Sequence, residues 1–293
     1  MAPQLFPRSL LIVGSSGTIG RSLAAWFTGQ NHPVWLTTRD ASAVDPQTRW
    51  LDLAQPVSTW PLADLPCRAA VLCAAVTSQK ACEENYAATY AINVSATVEL
   101  AERLIEAGAF VVFLSTNLVF DGTLPLVPAD HPVNPQTAYG QQKAEAEQAL
   151  LALDADCVAI VRLTKVLDRG FPLVQGWIDA LRAGQPIHPF TDLYLAPISL
   201  EFATAVVAQV TQQRLSGIMQ ASAQNDLSYA ELAYRLAEKL CLDTNLIQPV
   251  SCQSAGVTYA PRHTTLAADQ LEALGMDAPE AGQVIDQLWG PGL

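Results

Sequence analysis

The sequence predicts an α/β protein: a doubly wound parallel sheet followed by a smaller C-terminal α/β lobe. Three observations carry that expectation. Short apolar runs alternate with helix-patterned stretches through the first half of the 293 residues. Those runs are apolar on both faces, as strands covered by helices on both sides must be. A spaced glycine triplet, Gly14-Ser15-Ser16-Gly17-Thr18-Ile19-Gly20, directly follows the first run and opens the first helix.

In chain order, residues 9–13 read as a strand and 20–29 as a helix. Strands follow at 34–37, 49–53 and 69–74. Residues 83–107 form one long amphipathic pattern closed by Gly108, a common residue just past a helix end. A strand at 110–115, a helix at 137–153 and a strand at 157–163 complete the first half. This alternation places the first strand centrally, with its carboxyl end as the expected ligand crevice. Beyond residue 165, Pro and Gly interrupt the pattern. Helices are expected at 173–183, 200–212, 228–240 and 267–274, with a short apolar piece at 217–221. The expected division is 1–165 for the larger domain and 166–293 for the smaller lobe, with segments of the chain crossing back.

Charge narrows the function. Sixteen Lys and Arg stand against 28 Asp and Glu, a net charge of -12. A nucleic-acid polymer needs a basic face, so it is not an expected partner. The longest uninterrupted apolar run, 69–76, falls well short of the ~20 residues a spanning helix needs. The first eight residues lack a basic start and apolar stretch, so a cytoplasmic protein is expected. Six cysteines without a C-x-x-C pair read as reduced, mostly buried thiols, and four scattered histidines give no metal-ligand spacing. No metal is expected.

The glycine triplet is the first chemical signal. Gly14 permits a tight turn, Gly17 a close backbone approach to a pyrophosphate, and Gly20 close helix–strand packing. This is a Rossmann-type dinucleotide loop, and Gly14, Ser16, Gly17, Thr18, Ile19 and Gly20 are its candidate contacts. The second strand ends in Thr38-Arg39-Asp40. Arg39 and Thr38 suit the 2′-phosphate of NADP, with Arg21 as an auxiliary cation. An inward-turned Asp40 would instead hold the ribose of NAD. NADP is the favoured cofactor and NAD the alternative.

Tyr139-Gly140-Gln141-Gln142-Lys143 places a phenol and an ammonium on one helical face. A tyrosine of ordinary pKa is a weak acid–base group at neutral pH, and a neighbouring ammonium is expected to lower that pKa. Ser115-Thr116 ends the fifth strand, where a hydroxyl can bond a substrate carbonyl. Thr116, Tyr139 and Lys143 are therefore the candidate catalytic residues.

These motifs, together with Asn117-Leu118-Val119-Phe120-Asp121-Gly122, Val161-Arg162-Leu163-Thr164 and Pro261-Arg262-His263-Thr264-Thr265-Leu266, resemble the extended short-chain dehydrogenase/reductases. Within them the chain is most similar to the dTDP-4-dehydrorhamnose reductase subgroup. The resemblance implies a reductase that passes a hydride from NADPH to a keto group on a nucleotide-activated sugar. Asp52 and Leu53 would then sit by the adenine, and Ala74, Ala75 and Val76 along the cofactor. Thr116 and Tyr139 would meet the carbonyl, and Lys143 the nicotinamide ribose. A nucleotide sugar is the expected partner; the sequence leaves the oligomeric state open, with a homodimer one option.

Three departures stand out. Asn117 replaces the subgroup's usual Asp, Cys73 stands where Asn often precedes the Ala pair, and Lys165 occupies a usually aromatic position. Asn117, Lys165 and Arg262 are candidate substrate contacts, with Arg169 a further cation for a diphosphate. Two alternatives remain: an epimerase with tightly bound NAD, and a non-catalytic NADP-binding regulatory subunit resembling that of methionine adenosyltransferase.

Overall fold

In the computed structural model, residues 9–60 and 67–290 are described. The first eight residues, which bear on the question of a leader, lie outside that range. The chain runs β1 (Ser9–Val13), α1 (Thr18–Gly29), β2 (Val34–Thr38), β3 (Thr48–Trp50), β4 (Cys67–Leu72), α2 (Gln79–Glu84), α3 (Tyr86–Tyr90), α4 (Thr97–Glu106), β5 (Phe110–Thr116), α5 (Ala138–Leu153) and β6 (Val158–Leu163). It continues with β7 (Lys165–Leu167), α6 (Pro172–Arg182), β8 (Tyr194–Leu195), β9 (Pro197–Ser199), α7 (Leu200–Gln213), β10 (Gly217–Ala221), β11 (Leu227–Ser228), α8 (Tyr229–Lys239) and α9 (Ala281–Trp289).

Seven strands form one sheet in the order β10-β6-β5-β4-β1-β2-β3. The pairs β1–β2, β2–β3, β1–β4 and β4–β5 run parallel. Strand order reverses direction between β1 and β4, the topological switch of a doubly wound sheet. Alternation along the strands directs Leu11 and Val13 of β1, Ala70 and Leu72 of β4, and Val111 and Phe113 of β5 into one core, with Leu100 and Leu104 of α4 and Ala146 and Leu150 of α5. Every residue of β5 is buried, so this strand has no solvent face.

The chain divides into two compact units, neither contiguous in sequence. The first comprises Met1–Val119, Val133–Arg162 and Ala203–Met219; the second comprises Phe120–Pro132, Leu163–Phe202 and Gln220–Leu293. Within the second, Leu167, Val174, Ile178, Leu232, Leu236, Val284, Ile285 and Leu288 build a separate apolar core. Two short two-stranded pieces, β7 with β9 and β8 with β11, accompany it. Pro172 at the first position of α6 and a capping box between Ser228 and Glu231 set two of its helix starts.

The structure revises four elements. The long helix expected at 83–107 is interrupted twice. Asn85 leaves helical geometry (φ -131°, ψ 47°), and residues Ala91–Ala96 form a π-helical turn that buries Asn93. The third strand stops at Trp50 rather than Leu53, because the Asp52 carboxylate accepts from the Ala54 amide and turns the chain. Residues Asp269–Leu274 wind as a 3₁₀ helix ending on left-handed Gly275 (φ 66°) instead of an α-helix. Helix α9 is additional; its buried residues at 281, 284, 285 and 288 have ordinary helical spacing.

The packing of α1 on β1 leaves no room for a side chain at Gly20, where a Cβ would lie 2.3 Å from the Gly14 carbonyl oxygen. Gly20→Ala is expected to lower the urea unfolding free energy by about 1–3 kcal/mol through overpacking. A Cβ at Gly29 meets nothing within 4 Å, so Gly29→Ala should leave the midpoint unchanged or raise it slightly.

Candidate active site

The carboxyl ends of β1, β2 and β4 surround a cleft lined by Gly14, Ser16, Gly17, Thr37, Thr38, Arg39, Leu51, Asp52, Leu53, Cys73, Ala74, Ala75, Val76 and Ile92. Gly14 makes it possible. Its φ is +83°, and a Cβ there would fall 2.7 Å from the Ala74 amide nitrogen. The Gly14 amide donates to Thr37 Oγ1 at 2.9 Å, and Ser15 Oγ donates to the Thr37 carbonyl at 2.9 Å. The loop is thereby pinned to β2 through its own polar groups. Gly17 caps α1 without any side-chain hydrogen bond. First-turn amides of α1 are thus left free of a side-chain cap at the cleft, the donor set that suits an anionic phosphate.

Of the candidate cofactor contacts, Gly14, Ser16, Gly17, Thr38, Arg39, Asp52, Leu53, Ala74, Ala75 and Val76 line this cleft. Thr18, Ile19, Gly20, Tyr139 and Lys143 do not; Gly20 packs against Gly14. Thr37, Leu51, Cys73 and Ile92 are additional lining residues. Arg39 is exposed at the rim, and its carbonyl accepts from Trp50 Nε1 at 3.2 Å. Arg21 reaches back, its Nη1 donating to the Ser16 carbonyl at 2.5 Å. Asp40 is engaged elsewhere. Its carboxylate accepts from the Ser42 amide (2.9 Å) and hydroxyl (2.6 Å), bonds that also lower its pKa.

A second group sits at the end of β5 and the start of α5. Thr137 caps α5 by accepting from the Gly140 amide at 3.0 Å, while Glu83 Oε1 accepts from the Ala138 amide at 2.8 Å. A Cβ on Gly140 would lie 2.2 Å from the Leu118 carbonyl. That glycine lets the first turn of α5, carrying Tyr139, press on the turn that begins with Asn117. The Thr116 hydroxyl accepts from the Leu118 amide at 3.2 Å and points to Asn117 Oδ1 at 3.4 Å. Lys143 is only 2% exposed. Its Nζ donates to the Leu114 carbonyl at 2.5 Å and lies 3.6 Å from the Phe113 ring centroid.

The ionisation of these groups differs from the expectation. Tyr139 is raised above the ordinary tyrosine range, chiefly by burial and secondarily by Cys82, not lowered by Lys143. Lys143 is pushed down to about 7 by burial, with Glu147 and Cys73 acting in the opposite direction. The physical cause is the same for both: a water-poor pocket disfavours whichever form carries charge.

Two buried polar networks brace the group. Asn93, on the π turn, accepts from the Val76 amide (2.8 Å) and donates to the Val76 carbonyl (2.9 Å) and to Gln142 Oε1 (2.8 Å). It therefore clamps the cleft wall to α5. Glu147 accepts from Arg162 through Nε and Nη2, at 3.1 Å and 2.7 Å, and from the Ser115 hydroxyl. Arg162 and Glu147 are 2% and 3% exposed. Asn93 gives no periodic signal in sequence. Arg162 does, as the one charge in the otherwise apolar run Val158–Leu163, and such a charge needs a buried partner.

The remaining candidates belong to the second unit. Lys165 opens β7 with an exposed side chain, its Nζ 4.9 Å from the Phe171 ring centroid. Arg169 and Arg262 are exposed. Among the described residues, no group of three His, Cys, Asp or Glu side chains is arranged to hold a metal. No helix there is long and apolar enough to cross a membrane.

The family described as the RmlD substrate binding domain matches residues 8–285, nearly the whole chain. The chain belongs to that family. Among relatives of this RmlD-family protein, a dTDP-4-keto-6-deoxy-D-glucose reductase of Streptomyces niveus is 28% identical over 271 residues, 91% of each chain. Methionine adenosyltransferase 2 subunit beta of Xenopus tropicalis is 24% identical over 303 residues, 96% of this chain and 87% of that one. In fold, it matches a Bacillus anthracis dTDP-4-dehydrorhamnose reductase crystallised with NADP. The TM-score is 0.84 at 20% identity, covering 97% of this chain and 99% of that one.

In this RmlD-family chain, the Arg162–Glu147 pair tests the inner network. Arg162→Met leaves a buried carboxylate without its guanidinium. Urea denaturation is expected to show a loss of about 3–5 kcal/mol.

Proposed function

We propose that this protein is an NADPH-dependent reductase of a keto group on a nucleotide-activated sugar, with a dTDP-4-keto-6-deoxy sugar as the first substrate to test. One observation carries the reading: the turn following Thr116 packs directly on the first turn of α5, which bears Tyr139 and, one turn on, Lys143. The described likeness to a dTDP-4-keto-6-deoxy-D-glucose reductase supports the substrate class.

The cleft residues fit a dinucleotide. The uncapped amides of α1 would receive the pyrophosphate, Asp52 and Leu53 would flank the adenine, and Ala74, Ala75 and Val76 would line the cofactor. NADP is favoured over NAD because Asp40, the residue that would hold a free ribose 2′-hydroxyl, is already bonded to Ser42. Arg39 and Thr38 are left to meet a 2′-phosphate. Bound NADPH supplies the hydride. Tyr139 supplies the matching proton. Because burial keeps its phenol protonated at neutral pH, it is set up as an acid, the role a ketone reduction requires. Thr116 and Asn117 would hold the carbonyl end of the substrate. The charged Lys143 would stabilise the phenolate left behind and bond the cofactor ribose. Lys165 and Arg262 would meet the nucleotide diphosphate.

Six free thiols support a reducing, cytoplasmic setting, and a homodimer completes the proposal. A second reading, a regulatory subunit, is favoured by the likeness to methionine adenosyltransferase 2 subunit beta.

Purified protein mixed with NADPH and a dTDP-4-keto-6-deoxy sugar should consume the reduced-nicotinamide absorbance. No consumption with any nucleotide keto sugar would overturn the reductase reading in favour of the regulatory one. Tyr139→Phe should lower kcat by about 10²–10⁴-fold while leaving the NADPH dissociation constant near that of the parent protein. Arg39→Ala should weaken NADPH more than NADH, measured as the ratio of the two dissociation constants; an unchanged ratio would remove Arg39 from the 2′-phosphate site.

A further inference from the structure

Lys143 is enclosed on every side. From its own helix α5 it feels the carboxylate of Glu147. From β5 it meets the Leu114 carbonyl and the Phe113 ring. From the end of β4 it meets Cys73, whose thiol burial raises to about 12 and which is therefore neutral. Arg162, on β6, reaches Glu147 rather than Lys143. Glu147 is thus the one anionic side chain acting on Lys143 from within the helix. It is itself tied to two strands, by Ser115 on β5 and Arg162 on β6.

We propose that Glu147 is the positioning residue of this site, acting through Lys143 and Ser115. Its carboxylate offsets the burial that would otherwise strip the proton from Lys143. Its bond to Ser115 fixes the strand end from which Thr116, the next residue, projects. Glu147 touches neither cofactor nor substrate in this scheme. Arg162 keeps the carboxylate from being an isolated buried charge, and the pair is held bidentate. The proposal rests on the reductase reading only for its effect on turnover; the charge of Lys143 is measurable without any substrate.

The sequence contains only four lysines, so side-chain ¹⁵N-lysine NMR resolves them individually. The Lys143 signal is assigned by its loss in Lys143→Met. In the parent protein it should titrate at about 7. In Glu147→Gln the midpoint should move down by about one pH unit or more. Because that variant takes the carboxylate away from buried Arg162, Glu147→Gln with Arg162→Met is measured beside it. The double variant removes the uncompensated buried charge that the single one leaves, and the midpoint should again fall, by less. Glu147→Asp, which keeps the charge, should restore it towards the parent value. In NADPH-oxidation assays kcat should decline as pH rises through the Lys143 midpoint, and this decline should move to lower pH in the same order. An unmoved Lys143 titration in the folded variants would overturn the proposal. A moved titration without NADPH oxidation in the parent protein would uphold it and reject the reductase reading.

Discussion

The backbone approach between Gly14 and Ala74 governs the rest of the first unit. β1 and β4 are neighbours in the sheet, yet the chain leaves them in opposite directions along the strand order. Their loops must separate, and the gap between them is the cleft. How deep that gap runs depends on how closely the two strand ends touch, and 2.7 Å from a hypothetical Cβ to an amide nitrogen leaves no tolerance. Gly20 repeats the constraint one turn further on, setting α1 on the loop and aiming its amino end at the same gap. A site of this kind is built from main chain before any side chain contributes.

Side chains then work in a protein that is short of cations. Sixteen basic residues in a chain of net charge -12 provide no general positive field. The structure uses these charges one at a time. Arg39 stands at the cleft rim, Arg21 is committed to the Ser16 carbonyl, Lys143 is sealed inside, and Arg162 is committed to Glu147. For the two buried ones, Lys143 and Arg162, burial strengthens each interaction and raises the cost of leaving it unpaired. Burial holds Tyr139 protonated and draws Lys143 towards neutrality.

Legibility in the sequence followed locality. The glycine loop and the alternating strands are encoded within a few residues, and the sheet forms in the expected doubly wound order. Most cleft residues were readable because they lie at strand ends. Effects that depend on distant partners were not. The ammonium at i+4 suggested an acidic Tyr139, but the shift is decided by the enclosure of the whole pocket. The long amphipathic pattern at 83–107 hid its own breaks, since a π turn preserves apolar spacing on either side while rotating Asn93 inward. Cys73 and Ile92 reach the cleft from positions with no polar signature. Asp40 illustrates the limit well: its identity was plain, and only the bonds to Ser42 reveal its direction.

The last strand of the sheet carries a consequence for how the protein is made. β10 flanks β6, but the two are separated by more than fifty residues that mostly belong to the other unit. During vectorial synthesis the edge of β6 remains unpaired until residues 217–221 emerge, and an open strand edge is a template for unwanted pairing. A nascent chain paused before that point would expose a row of free amides and carbonyls to its neighbours on the same messenger. For this sheet, the hazard of translation stalling is concentrated in the stretch between residues 163 and 217.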